Sequence, residues 1–382
     1  MRFAQRGSML IFGIGILLTL TSFAVLAVDI GRIFIVRNEL QNVADAAALA
    51  GANCLARESD PTSPVDCVET MATALNWDRA IAKAQDHLSH NSAAGTPISS
   101  TDAGHEIQVG YWNILEHQPS GGTYSRTFTP LTVNDKPAVR VYVRKDAGVN
   151  DGPVAMLTRL MFGRGSDTPM WAESVAVISS PSSVAPNSLL PVVINDCMFS
   201  TYWDSANGTP RLYNGPGSVP ADPYNLSNIG EPYTIRIGSS YHYGACEQAG
   251  QWTTFDQFSP SARTVRDLVE NGNPSSLEID DQTYIKPGTA ATDFQAVRDT
   301  YLGQDVTVVV VSAPNNDLSI QGSVPVVAFA GFHIDAVATN GRDPAGDPGF
   351  YIQGHFIPGN VTTGGSGIGP FFGTYQPPRL GR

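Results

Sequence analysis

Charge is scarce in this chain, and over one stretch it is missing altogether. Only 15% of the 382 residues are Asp, Glu, Lys or Arg, and none lies between Arg6 and Asp29. A charge-free terminus of that length argues against the helix of an ordinary soluble domain, which keeps a polar face toward water. Cations are the scarcer sign, 23 Lys and Arg against 35 Asp and Glu, for a net charge of −12. That balance argues against nucleic acid as a partner, because phosphate binding needs cations to neutralise it. It argues also against adhesion to anionic lipid, and its benefit is solubility. The catalytic patterns GxSxG, HExxH and GxxxxGK(S/T) are absent. No CxxC pair occurs and no His sits at finger spacing, so zinc is not expected. No internal repeat is present. The expectation is a chain without catalytic residues, cofactor or metal.

What is present begins with the apolar run Met9 to Val28, MLIFGIGILLTLTSFAVLAV. As a helix it reaches about 30 Å, one hydrocarbon thickness, so the lipid bilayer is the expected partner of residues 9–28. Arg2 and Arg6 form a positive flank that favours the cytoplasm, which places Asp29 to Arg382 on the far side. A cleaved signal peptide is the alternative, with Val25 and Ala27 as the small residues before a cut after Ala27.

The segment after the run, DIGRIFIVRNELQNVADAAALAGANCL, has no proline. Ile33, Val36, Leu40, Val43, Ala47, Ala50 and Cys54 recur by threes and fours, which draws an apolar seam along one side of a helix. Alanine is the best helix former and lets another backbone come close. The spacing predicts one unbroken helix from the run to about Leu55, roughly 69 Å long. SDPTSP (Ser59 to Pro64) ends it. A second helix is expected over Val68 to His90, with Val68, Met71, Leu75, Ile81 and Leu88 on its apolar side. The seam would pack against this helix, against another molecule, or against each at different heights.

From His105 the pattern turns to β: EIQVGYWNI, YSRTFTP, AVRVYVRK and WAESVAVIS, with a short helix over Val154 to Gly163. Beyond Ser188 the strand candidates are LPVVI, YTIRI, VTVVVVSA, VPVVAFAGFHIDAVA and FYIQGHFI, and Ser261 to Gly272 reads as a helix with Ser261 as N-cap. Phe199 to Gly230 reads as a long irregular loop. The fold class is α+β: an N-terminal transmembrane helix continuing into an Ala-rich stem and helical hairpin, then β-rich domains. The expected divisions are 1–8, a cytoplasmic N-terminus; 9–28, the span; 29–93, stem and hairpin; 94–180, a small α+β domain; 181–188, a linker; 189–358, a β-rich domain; and 359–382, an extended or loose Gly/Pro tail.

Cys54, Cys67, Cys197 and Cys246 all lie beyond the run, and an even number on an exported segment suggests disulfides. Three connectivities exist, and the sequential one closes the shortest loops. Tyr202, Trp203, Tyr213, Tyr224, Tyr241, Tyr243 and Trp252 cluster around the second Cys pair. They read either as a loop that contacts a glycan or protein surface, or as rings packed beneath that loop. His333, Asp335 and His355 fall on adjacent strand candidates and read as a polar sheet face or as a metal or proton site. His87 and His90 read as the end of a helix, and Asp280 with Asp281 as an acidic turn. Asn207, Asn225 and Asn360 open N-x-S/T triplets, a pattern frequent by chance.

Val28 to Ala52 resembles the N-terminal motif of the TadE/TadG-like proteins of Tad (Flp) pilus assembly, (V/L)D.GR…R..LQNAADAAALAGA. The matching positions are Asp29, Gly31, Arg32, Arg37, Leu40, Gln41, Asn42, Ala44 to Leu49, Ala50, Gly51 and Ala52. QVGYWN, TFTP, AVRVYVRK and ESVAVIS resemble, more weakly, the region after the stem in such chains. The resemblance implies a bacterial inner-membrane, single-pass, pseudopilin-like protein with a periplasmic ectodomain and a structural role in assembly. The implied partners are other Tad pilus-assembly membrane proteins and pseudopilins, with self-association through the stem. Two departures matter. Gly7 is the one Gly near the positive flank and Phe12 stands where prepilin processing needs Glu, so that cleavage is not expected. No DxSxS occurs, so a metal-dependent adhesion module is not expected.

Overall fold

The computed structural model describes residues 5–71, 75–99, 101, 103–127, 132, 134–163, 167–205, 208–244, 246–255, 262–342, 348–358, 360–365, 367 and 369–381. Ser261 and Asn207 lie outside the described residues, as do Phe128, Thr129 and Pro130 of YSRTFTP.

Helix α1 runs without interruption over Gln5–Cys54, 50 residues, or about 75 Å. Its apolar run carries three hydroxyls, and each is satisfied inside the helix. Thr19 Oγ1 donates to the Gly15 carbonyl at 2.8 Å, Thr21 Oγ1 to Leu17 at 3.0 Å and Ser22 Oγ to Leu18 at 2.8 Å. Apolar surroundings therefore cost these side chains little. It is the one described helix long and apolar enough to cross a membrane.

The hairpin differs from expectation. Cys67–Met71 is a strand, paired antiparallel with Arg57–Ser59, and α2 begins only at Trp77 and ends at Ser89. The Cys54–Cys67 disulfide and a turn in which Asp60 N–H donates to Asp66 O hold this stretch extended. Asn76 then caps α2 by accepting from the Arg79 amide. Periodicity alone could not separate strand from helix over Val68 to Met71, and ladder pairing decided it. The inner face of α2 is Ala80, Ala84 and Leu88, with Leu75 and Ile81 only half-buried.

A five-stranded antiparallel sheet packs against α1. Its strands are β1 (His105–Asn113), β2 (Asp135–Lys145), β3 (Met170–Val177), a two-residue strand at Gln118–Pro119 and the C-terminal Arg379–Leu380, which lies beside β3. Helix α3 (Leu157–Phe162) joins β2 to β3. Tyr124 to Thr127 forms no strand. It crosses the outer face of β1, where Ser125 O accepts from the Tyr111 amide and Tyr124 stacks on Trp112 at 6.0 Å. Gly110 permits the crossing, since a Cβ there would stand 2.5 Å from the Ser125 nitrogen.

The C-terminal lobe contains β4 (Val192–Asn195), α4 (Asp196–Tyr202), β5 (Thr234–Ile237), β6 (Gly250–Thr253), α5 (Ala262–Asn271), β7 (Gln282–Lys286), α6 (Ala291–Tyr301), β8 (Asp305–Val311), β9 (Gly322–Arg342) and β10 (Pro348–Phe356). Strands β9, β7, β6, β4 and β8 pair in that order, and β8 pairs back onto β9, so five strands close on themselves. Within this closed set β4 and β8 pair in parallel and the other pairs are antiparallel. Closure leaves these strands without a free edge. The β10–β5 pair extends from the far half of β9. The loop expected over Phe199 to Gly230 opens with α4 and a short Trp203–Asp204 hairpin. Helix α6 went unpredicted because Ala290 offers no side-chain cap, although Phe294, Val297 and Tyr301 share helical spacing.

Residues 181–188 and the tail knit the two lobes together. Ser182 and Ser183 amides donate to Gly365 O, and Ser183–Val184 pairs with Leu277–Glu278. Thr374–Tyr375 pairs with Asn360–Val361 before the chain returns to β3. These pairings pin the described residues of the tail.

Candidate functional site: the stem and its cradle

Helix α1 divides into a bare lower part and a cradled upper part. From Met9 to Ile35 nearly every side chain is exposed. Above that, Val36, Leu40, Val43, Ala44, Ala47, Ala48 and Ala52 are buried in one apolar cluster. The cluster is completed by Ala80, Ala84 and Leu88 of α2 and by Val139, Val141, Val143, Ala172 and Ala176 of the sheet. Helix α2 runs back along α1: the Asn76 amide reaches Leu55 O, Ala80 lies beside Gly51, and the Ala94 amide donates to Glu39 at 2.7 Å. Gly51 sets the spacing, because a Cβ there would come within 2.8 Å of Ala80 O and 3.2 Å of Val139 Cγ1.

The predicted seam is thus filled within the chain. Val36, Leu40, Val43, Ala47 and Cys54 are buried, while Ile33 and Ala50 are half-buried at its margins. Self-association through the buried positions would require displacing α2 or the sheet.

Two polar residues of the same segment were not legible as structural parts. Both carboxylate oxygens of Asp29 accept from the first amides of α3, Leu157 N at 2.7 Å and Thr158 N at 2.9 Å. Gln41 Nε2 donates to Glu173 O on β3 at 3.0 Å and to Asp45 Oδ1 at 2.8 Å. Arg379–Leu380 pairs only with the end of β3, so Gln41 serves a carbonyl of that edge which no strand reaches. The signal was polar character at fixed places on an otherwise alanine-rich helix. By contrast Arg37, Asn38 and Asn42 are exposed, as are Phe34 and Ile35 just below them.

Both disulfides have the sequential pairing, Cys54–Cys67 and Cys197–Cys246, with Cα separations of 5.7 and 5.8 Å. The aromatic cluster lies inside the C-terminal lobe. Tyr202, Trp203, Tyr213, Tyr241, Tyr243 and Trp252 are buried and Tyr224 is half-buried. Tyr202 meets Tyr233 at 5.1 Å, and Tyr224 meets Tyr241 at 5.1 Å and Tyr243 at 5.3 Å. The rings pack largely on one another beneath the stapled loop, with Tyr224 the most accessible of the seven.

His333, Asp335 and His355 do come together. His333 stands opposite His355 across β9 and β10, and a bulge between Ile334 and Ala336 sets Asp335 beside them. Asp335 Oδ2 is 3.0 Å from His355 Nδ1, and Asp305 Oδ1 is 2.6 Å from His333 Nδ1. The row lies on a partly exposed sheet face, and no group among the described residues is arranged to hold a metal ion. His90 Nδ1 is 2.9 Å from Asp86 O at the end of α2, and Asp281 accepts from the Glu278 amide in a turn.

A cavity of about 260 Å³ opens between the lobes, lined in part by Tyr111, Lys136, Ile178, Phe371 and Tyr375. Its charged groups are already hydrogen-bonded within the chain. Lys136 Nζ donates to Ser180 Oγ at 2.9 Å and Gly369 O at 3.3 Å, and Ser180 Oγ itself donates to Gly369 O at 2.8 Å. Asp135 accepts from Ser120 and Thr132. Burial, aided by the charge of Arg379, pushes the Lys136 ammonium down to about 8. The folded state then holds fewer protons than the unfolded one between about pH 8 and the ordinary lysine range near 10.4. Stability carries the full cost of burying the charge below pH 8 and recovers it as pH rises through that window. Lys136→Met, which leaves the Ser180–Gly369 bond in place, should abolish this rise. Urea midpoints of both proteins between pH 7 and 10 would test it, and parallel curves would refute it.

Residues 7–53 match the family model for Tad, the TadE/G-like Flp pilus-assembly proteins. The matched segment coincides almost residue for residue with α1, Gln5–Cys54. That match covers 47 of the 382 residues. Neither the curated proteins nor the solved structures contain a match to it. Within the Tad segment, Asp29, Gln41 and Gly51 have defined structural tasks, whereas Arg37 and Asn42 are exposed.

Proposed function

We propose that this protein is a non-enzymatic, pseudopilin-like subunit of a Tad pilus-assembly system. It is anchored in the bacterial inner membrane by residues 9–28, with its N-terminus cytoplasmic and its bulk periplasmic. The observation that carries this reading is the coincidence of the Tad segment with α1, bare and apolar below and locked into the ectodomain above. A rod fixed in a folded domain transmits the position of the membrane to that domain without a hinge. Partner contact falls to the exposed side of α1, where Arg37, Asn38 and Asn42 stand clear of the cradle. Filling of the seam by α2 and the sheet removes the other side from competition.

Deleting the gene and imaging cells for surface fibres tests the assembly role, with loss of fibres expected. Arg37→Glu combined with Asn42→Trp tests the contact. Both side chains are exposed, so the thermal midpoint in detergent should stay within about 1 °C of the parent, as is usual for surface changes. Co-purification of other Tad membrane subunits should be lost. Normal fibres in the deletion strain would overturn the function, and undiminished co-purification of the variant would overturn the contact surface.

A further inference from the structure

Val25 is 8% exposed although it lies within the apolar run, where the side chains from Met9 to Ala24 are bare. One turn later Asp29 is 3% exposed. Ectodomain structure therefore descends alongside the run itself, and the element bonded to α1 at this height is α3, through the Asp29 contacts to Leu157 and Thr158. Two apolar side chains of α3 are largely exposed, Leu160 at 80% and Met161 at 57%. On α1 exposed apolar residues continue past Val28 to Ile30, Phe34 and Ile35. From Met9 to Ile35 is about 27 residues, or about 40 Å of helix, which matches the roughly 40–45 Å of a bilayer with its headgroups. If Ile35 marks the outer surface, Asp29 and α3 lie about 9 Å below it, the depth at which interfacial helices rest between headgroups and acyl chains.

We infer that α3 is a second membrane contact, a short foot that sinks Leu160 and Met161 into the periplasmic leaflet beside the anchoring helix. The inference rests on the membrane reading of residues 9–28. A helix spanning alone is free to tilt and to rotate about its axis. A foot fixed to its side by Asp29 sets one rotation, and with it the direction in which Arg37 and Asn42 face. The occupant is lipid because Leu160 and Met161 are exposed on the helix bonded to α1 at Asp29, within the stretch from Met9 to Ile35 where most apolar side chains of α1 are themselves exposed. Arg159 beside it is held by an ion pair to Asp167, so apolar insertion rather than charge supplies the attraction.

The test uses the full chain, with its four native cysteines left in disulfides, reconstituted in phosphatidylethanolamine–phosphatidylglycerol vesicles. Single variants Met161→Cys, Leu20→Cys and Leu115→Cys are spin-labelled, and collision rates with oxygen and with a water-soluble nickel chelate are compared. Leu115 is 62% exposed at the opposite end of β1 and reports the aqueous phase, while Leu20 reports the span. The label at 161 should collide with the nickel chelate several-fold less often than that at 115, and with oxygen more often. A lipid-exposed Leu20 with an aqueous Met161 would overturn the foot and leave the anchor standing. An aqueous Leu20 would overturn both. Shielding of Met161 from both reagents would assign this face to a second protein and overturn the lipid contact.

Discussion

Ala47→Asp should unfold the N-terminal lobe. Ala47 is 0% exposed and sits in the apolar cluster with Ala44, Ala48, Ala80, Ala84, Val139 and Val141. A carboxylate there is both too large for the gap and unpaired, and an uncompensated buried charge costs roughly 3–5 kcal/mol, on top of about 1–3 kcal/mol for overpacking. Small and medium domains hold about 5–15 kcal/mol in all. Ala50→Asp is the sharp comparison. From sequence the two alanines are equivalent members of one seam, but Ala50 is half-buried at the margin, where a carboxylate keeps contact with water and the loss should stay near about 1 kcal/mol. Urea unfolding in detergent, followed by tryptophan fluorescence, measures both. A deficit for Ala47→Asp no greater than for Ala50→Asp would mean that α2 and the sheet do not close over the stem.

Removing the Cys197–Cys246 bridge should cost more than removing Cys54–Cys67. The first closes a separation of 49 residues and the second 13. The loop-entropy relation then gives about 4 and about 3 kcal/mol. The larger bridge also staples the buried aromatic cluster, since Cys197 and Cys246 share it with Tyr202, Trp203 and Tyr243. The double alanine variants should lower the urea midpoint in that order, and reductant added to the parent should reproduce the combined loss. A parent protein indifferent to reductant would show that the thiols are not paired in the mature molecule. It would also remove the main chemical support for an oxidising, extracytoplasmic location.

Legibility differed from element to element for physical reasons. Helix α1 was plain because its length, its lack of proline and its alanine content are local properties. The strands of the first sheet were plain where β-branched residues alternate, and Tyr124 to Thr127 failed because their path depends on Ser125 meeting Gly110 of another strand. Val68 to Met71 carried a helical spacing that a disulfide and a two-stranded ladder overrode. The aromatic residues around Cys197 and Cys246 were recognisable as a cluster, but only packing could say which way their faces turned.

Read alone, the chain determined an apolar rod, an alanine-lined stem, the β character of the residues beyond His105 and the Tad likeness, since each is written in adjacent residues. Tertiary structure decided that the seam is closed by α2 and the sheet, that Asp29 ties α3 to the rod, and that five C-terminal strands close on themselves. Those outcomes depend on pairs such as Asp29–Leu157, Gly51–Ala80 and Val308–Ala330. Such pairs form only when distant segments bury surface together, and no local pattern records that event.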